Sequence, residues 1–239
     1  MWRPQTLGNG NVYRVLGAAT YSVKACSDQA WRFETRQGDQ ITYETDRTRA
    51  EMVDLNGSVA YGVDQWAAFD FRVDLSPGPL APAQQGGWLL FGQLHQTAGA
   101  SDVPGASPIF SFNMQADGEM GLATNGSTQN PLMTLAPSTI RGKTSGFTVG
   151  KWHRSVVRFR LDPSAGNIAW WLDGMQITNV SGIPLGFATD TRAYWQFGIY
   201  TGPIGVPMTA VAHYANVFPP TTASLASRIG AAAPPIRAI

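Results

Sequence analysis

Apolar and polar residues alternate with period two in short runs along the whole chain, over residues 30–36, 67–73, 87–95, 109–114, 155–161, 168–172, 194–200 and 210–217. Successive side chains of a strand point to opposite faces, so each run predicts a β-strand with one face buried. Asn56-Gly57, Ser76-Pro77-Gly78-Pro79, Asp117-Gly118, Asn125-Gly126 and Asp173-Gly174 fall between the runs as turn signals. No window of about 11 residues holds an apolar stripe of period 3.6, and no repeat of fixed period is present. The pattern predicts a β-meander or β-sandwich with little helix. Residues 96–108 and 124–150 read as long loops, and loops of that length in a compact domain usually line or cover a functional groove.

Composition narrows this picture. The 239 residues suffice for one large sandwich. Residues 1–218 read as that domain, and 219–239, rich in Pro and Ala with little to bury, as an extended C-terminal arm that a partner could order. Only 14% of residues are charged, while Gly (26) and Pro (16) are plentiful, a balance that suits many short strands joined by turns. A formal net charge of +1, with no block of like charges, argues against nucleic acid as a partner. A few arginines gathered in one groove would still hold a polyanionic sugar. Cys26 is the only cysteine, so no intrachain disulfide is expected, and no Cys/His set has zinc-ligand spacing; no metal is predicted. Met1-Trp2-Arg3-Pro4 lacks the basic stretch and apolar run of a secretory signal, and no apolar run approaches the about 18 residues of a membrane span.

Three segments carry candidate chemistry. In Asp46-Arg47-Thr48-Arg49-Ala50-Glu51-Met52, strand geometry puts Arg47, Arg49 and Glu51 on one face and Thr48, Ala50 and Met52 on the other. Taken alone this suits an ordinary solvated outer strand. In Phe91-Gly92-Gln93-Leu94-His95, Gln93 and His95 share a face with Leu94 behind them. In Tyr194-Trp195-Gln196-Phe197-Gly198-Ile199-Tyr200, Tyr194, Gln196, Gly198 and Tyr200 share one face and Trp195, Phe197 and Ile199 the other. Gly198 leaves room above the sheet for a ligand, although a bulge or bend is the commoner meaning of a strand glycine. His153, after Trp152, and His213 read as structural, and nothing spaces the three histidines as a metal site.

Taken together, these segments resemble the motifs of the alginate lyases of polysaccharide lyase family seven and their jelly-roll relatives, the glucuronan and heparinase-one-like lyases. Arg49-Ala50-Glu51-Met52 resembles an Arg-Ser/Thr-Glu-Leu element, Gln93-Leu94-His95 a Gln-Ile/Val-His element, and residues 194–200 a Tyr-Phe-Lys-Ala-Gly-x-Tyr element, in the same order. Trp31-Arg32-Phe33-Glu34, Gly150-Lys151-Trp152-His153, Trp170-Trp171-Leu172-Asp173-Gly174 and His213-Tyr214-Ala215-Asn216-Val217 extend the resemblance over nearly the whole chain. It implies an all-β, concanavalin-like jelly-roll sandwich of two antiparallel sheets. It also implies a lyase that cleaves a uronic-acid polysaccharide by removing the C5 proton and expelling the C4 oxygen. In that scheme Arg49 and Gln93 bind the carboxylate and stabilise the enolate-like charge. His95 is neutraliser or base, and Tyr200 is the general acid, with a base role where substrate geometry allows. Glu51 orients the arginine; Arg47, Gln196 and Tyr194 complete the substrate-binding set.

The departures are as informative. Gln196 stands where the family carries Lys, and Val53 where it often carries Arg, so the groove is less cationic than in the relatives. Gly202 replaces a frequent Gln two residues beyond the tyrosine, so an alginate preference does not carry over. A non-catalytic carbohydrate-binding or phage-particle structural protein on the same fold is the competing reading. A glycoside hydrolase is a weaker one, since no strand pairs two carboxylates at the required spacing. No cofactor is required; relatives sometimes hold a structural calcium ion, but the sequence has no diagnostic calcium loop. Acidic polysaccharides lie mostly outside cells, which predicts a secreted or particle-borne protein, with other particle proteins contacting the C-terminal arm.

Overall fold

Inward-facing aromatic and aliphatic residues build two sheets around one core. The computed structural model describes residues 4–6, 12–27, 30–39, 47–54, 59–76, 88–96, 107–115, 117–128, 138–188, 192–202 and 208–232. Among these, the first sheet has nine strands. Its spatial order is β1 (Pro4–Thr6), β2 (Val12–Gly17), β5 (Thr48–Asp54), β16 (Arg192–Thr201), β8 (Leu89–Gln96), β9 (Phe110–Met114), β10 (Met120–Thr124) and β12 (Thr139–Thr144), with β6 (Val59–Ala60) also paired to β16. The second, of eight, runs β11 (Gly126–Ser127), β15 (Met175–Phe187), β14 (Asp162–Leu172), β13 (Trp152–Arg160), β7 (Asp64–Ser76), β17 (Thr209–Thr221), β4 (Ala30–Arg36) and β3 (Val23–Ser27). The short β11–β15 pair is parallel and the others are antiparallel. Many neighbours are distant in sequence, as β5 and β16 are, so the chain crosses repeatedly between the two layers.

Phe33, Phe69, Phe112, Phe197, Trp170, Trp195 and Tyr214 are fully buried between the sheets. They meet largely edge to face or tilted, as in Phe33–Phe197 and Phe69–Phe112, both at 5.6 Å, the geometry ring quadrupoles favour. Each of the eight alternating runs falls on a strand, and β4 has the bounds its pattern predicts. Asp173 and Gly174 both take positive φ (50° and 85°) in the two-residue turn between β14 and β15.

The structure corrects the reading of 124–150 as one loop, because β11 and β12 lie within it. Strand β12, Thr-Ile-Arg-Gly-Lys-Thr, sits at a sheet edge with only its last residue buried. Backbone ladder bonds hold it, so it carries no alternating apolar signal. Strand β17 likewise continues through Pro219 and Pro220 to Thr221. Those prolines fall where its register with β7 shifts between Phe218 and Thr221, so their missing N–H groups break no regular ladder. A turn of 3-10 helix, Ala226–Arg228, follows, with the Arg228 guanidinium 4.4 Å from the Phe218 ring centre.

Two adjacent bulges shape the middle of the first sheet. Strand β8 advances from Leu90 to Gly92 while β9 moves only from Asn113 to Phe112. Strand β16 advances from Phe197 to Tyr200 while β8 moves from Gly92 to Leu90. The Tyr214 hydroxyl reaches across the core from β17 to the carbonyls of Phe91 and Gly198, the latter at 2.7 Å. Burial first, and then the Glu51 carboxylate, push this phenol well above its ordinary pKa, so it stays a protonated donor. Tyr214→Phe removes that donor from two buried carbonyls. We expect a loss of about 1–3 kcal/mol in stability by chemical denaturation; an unchanged midpoint would show that the bulges do not depend on it.

Candidate active site

Strands β5, β16 and β8 lie side by side, and their registers set the site. Tyr200 pairs with Arg49, Gly198 with Glu51 and Gln196 with Val53; on the other side of β16, Gln196 pairs with Gln93 and Tyr194 with His95. The alternate residues Ala50, Met52, Leu94, Trp195, Phe197 and Ile199 are fully buried in the core. The polar set therefore shares the outer face of the first sheet.

Along that face the residues form three groups. At one end Arg47 Nη1 donates to the Tyr200 hydroxyl at 3.0 Å, the Arg49 guanidinium lies 3.8 Å above the Tyr200 ring centre, and Trp88 meets the ring edge-on at 4.7 Å. In the middle Gln93 Nε2 donates to Glu51 Oε1 at 2.8 Å and to Gln196 Oε1 at 3.3 Å, while Arg49 Nε lies 3.4 Å from Glu51 Oε2. Glu51 thus fixes the orientation of the Gln93 amide, and Gln93 in turn leaves the Gln196 amide nitrogen as that side chain's outward donor. At the far end the His95 and Tyr194 rings stack at 5.5 Å and 25°. His95 Nδ1 lies 3.2 Å from the Gln96 carbonyl, which can only accept. A neutral ring that donates to this carbonyl carries its proton on Nδ1 and has Nε2 as its acceptor nitrogen.

The middle of this face is shielded from water: Glu51 is 1% exposed, Gln93 2%, Gln196 3% and Tyr200 7%. Arg47, Arg49, His95 and Tyr194 are half-buried. Charges in such a setting interact more strongly than at an open surface.

The structure brings Arg49, Gln93, His95 and Tyr200 onto one face, with Arg49 over the Tyr200 ring and linked through Glu51 to Gln93, and with His95 stacked on Tyr194. Tyr200 and Tyr194 are six residues apart on β16, a span that the two bulges shorten, and His95 pairs with Tyr194. Period two places both tyrosines on the same face, but the β8–β16 register selects the one that meets His95. Gly198 is the bulge rather than a space for ligand: its φ is +133°, and a Cβ there would strike the Ala50 carbonyl and come within 2.7 Å of Glu51 Cα. The place of a side chain at Gly202 is filled by the indole of Trp88, and the Trp88 backbone carbonyl accepts from the Gly202 amide at 2.9 Å.

A family model described as polysaccharide lyase matches residues 18–217. The chain belongs to the polysaccharide lyase family. Among solved structures, the chain is similar to an endo-β-1,4-glucuronan lyase from the fungus Trichoderma reesei, with 18% identity, a TM-score of 0.66, and coverage of 93% of this chain and 95% of that one. It is also similar to the family 7 alginate lyase A1-II′ in complex with product (14%, TM-score 0.59, covering 92% and 94%). A third is the marine alginate lyase AlyA1 from Zobellia galactanivorans (15%, TM-score 0.57, covering 85% and 81%). These likenesses establish the jelly-roll fold. No curated protein sequence matches the chain.

The other histidines of the chain lie apart from the site. His153 is buried, with Nδ1 2.6 Å from Asp173 Oδ2 and Nε2 against the Thr148 backbone, and it ties the residues before β13 to the β14–β15 turn. His213 lies on the second sheet 3.9 Å from Asp74; burial holds its pKa below the ordinary imidazole value. Among the described residues no group of three His, Cys, Asp or Glu side chains is placed to hold a metal ion. Two residues of the outer face escaped the sequence reading. Arg14 and Ser111 lie in register with Val53 and Gln93 respectively. Arg14 had a faint signal, the single charge in the apolar run Val12–Gly17.

Proposed function

We propose that this lyase cleaves a uronic-acid-containing polysaccharide by β-elimination, with His95 and Tyr194 as the proton-transfer pair. The observation that carries this reading is the in-register stack of His95 on Tyr194 beside the Gln93–Gln196 amide pair. The amide row, with the outward Gln196 nitrogen, meets the uronate carboxylate and stabilises the charge that spreads onto it as C5 loses its proton. His95 Nε2 takes that proton; the electron pair forms the C4–C5 double bond; the C4–O bond breaks, and the Tyr194 hydroxyl gives its proton to the departing oxygen. Solvent exchange then returns the imidazolium proton and restores the phenol. Arg47 and Arg49, held by Tyr200 and Trp88, form a cationic end of the face for a neighbouring sugar carboxylate.

A second reading, a non-catalytic carbohydrate-binding protein, draws support from the shielded floor of the face and from Val53 and Gln196, which carry no charge. A panel of glucuronan, alginate and heparin separates the two. Cleavage produces an unsaturated product that absorbs in the ultraviolet, expected with at least one polymer. Binding with no new absorbance on any of them sinks the enzyme reading. Such polymers lie outside cells, so we place the protein's action there as well.

A further inference from the structure

We infer that Asn113, held in place by Ser111 and Gln115, binds the ring hydroxyls of the sugar unit whose carboxylate meets Arg47 and Arg49; this rests on the uronate-polymer reading above. Phe112 and Met114 are buried in the core, so alternation along β9 turns Ser111 and Asn113 outward, and Gln115 follows just past the strand's end. The three side chains are tied in sequence. Gln115 Nε2 donates to Asn113 Oδ1, and Asn113 Nδ2 faces Ser111 Oγ at 3.5 Å. Gly121, in register with Asn113 on β10, makes the first bond possible. A Cβ there would come within 2.9 Å of Gln115 Nε2, so the Gln115 amide lies over the space a side chain would take. These bonds fix how the Asn113 amide is turned without exhausting it, because a primary amide has two donor hydrogens and two acceptor lone pairs.

The place of Asn113 on the sheet selects its ligand. Asn113 and Tyr200 flank Leu90 in register, one strand to each side. Leu89 and Phe91 belong to the core, so Leu90 lies on the outer face as an apolar floor. Arg47 and Arg49 converge on Tyr200, so the arginines and the Asn113 amide stand on opposite sides of that floor. At about 4.8 Å per strand, the Tyr200 and Asn113 backbones are roughly 10 Å apart. A uronate ring has the matching layout: C5, which bears the carboxylate, lies across the ring from C2 and C3, which bear hydroxyls. A unit set over Leu90 with its carboxylate toward the arginines therefore presents those hydroxyls to Asn113. An amide suits the pair, since it accepts from one hydroxyl while donating to its neighbour. Ser111, in register with Gln93, borders the amide pair assigned to the reacting carboxylate. The unit over Leu90 is thus the neighbour of the one being cleaved.

The test compares wild type with Asn113→Ala and Asn113→Asp in steady-state cleavage and equilibrium binding of the panel polymer that the protein handles best, in native form and after chemical O-acetylation of its ring hydroxyls. Asn113→Ala is expected to raise KM, or the dissociation constant, for native polymer about 3- to 10-fold, as loss of one or two hydrogen bonds would, with kcat within about twofold. Asn113→Asp keeps the shape but sets a carboxylate against a polyanion, so the rise should be larger, and added salt should reduce the excess. Acetylation removes the hydroxyl protons. Wild type should therefore prefer the native polymer and Asn113→Ala should lose most of that preference, whereas a residue that only supports the fold would weaken both forms alike. Gly121→Ala, which displaces only the flexible Gln115 amide, should give a smaller rise in the same direction. An active wild type whose KM is unchanged in both Asn113 variants, or whose preference for native polymer survives in Asn113→Ala, overturns the Asn113 assignment and leaves the lyase reading intact. Binding of native polymer that weakens in Asn113→Ala, without cleavage by wild type, supports Asn113 and sinks the lyase reading. A wild type that neither binds nor cleaves any member of the panel overturns both.

Discussion

Tyr194→Phe is expected to lower the rate of ultraviolet-absorbing product by about 10²–10⁴, the span a positioned general acid usually contributes, with fold and thermal midpoint retained. The basis is the register of β16 against β8, which stacks Tyr194 on His95 and leaves both half-buried and within reach of a polymer. Tyr200 is built differently. Its hydroxyl accepts from Arg47, its ring lies beneath Arg49 and against Trp88, and it is 7% exposed. Tyr200→Phe should therefore act mainly on KM, by loosening the two arginines, and leave kcat within about tenfold, less than loss of a general acid costs. If Tyr200→Phe abolishes turnover while Tyr194→Phe stays active, the proton donor is Tyr200 and the pairing proposed with His95 is wrong.

The largest effect on stability is expected from Gly198→Ala, a loss of at least about 3 kcal/mol. Two costs add at this position. A φ of +133° lies in a region that residues with a Cβ rarely adopt. The added methyl would also collide with the Ala50 carbonyl and approach Glu51 Cα and the Phe33 ring to 2.7 and 2.8 Å. Two of those obstacles are β5 backbone, so relief requires β16 to draw away from β5. That movement would break the pairing of Tyr200 with Arg49 and the bond from Tyr214 to the Gly198 carbonyl. Urea unfolding measures the loss. A variant with wild-type stability would show that the bulge at Gly198 is not required. By contrast, Gly92 has room: a Cβ there would meet Phe69 and Phe112 at ordinary contact distances of 3.5–3.6 Å.

Alternation along residues 46–52, 93–95 and 194–200 was enough to assign the faces of the polar residues on those three segments, because the direction of a strand side chain depends only on its parity within that strand. The aromatic runs similarly identified the core strands. The pairing of His95 with Tyr194, the place of Arg14 beside Val53, the bulge at Gly198 and the strand at Thr139–Thr144 were beyond local pattern. Each depends on which distant strand lies alongside and at what offset. Backbone ladder bonds are nearly the same for any residue and cannot select that offset; the packing of buried rings such as Trp195, Phe197 and Tyr214 between the sheets does. A shift of two residues would keep every side chain on its own face and still give His95 a different partner, which is why the face could be read from the chain and the pairing of His95 with Tyr194 required the folded sheet.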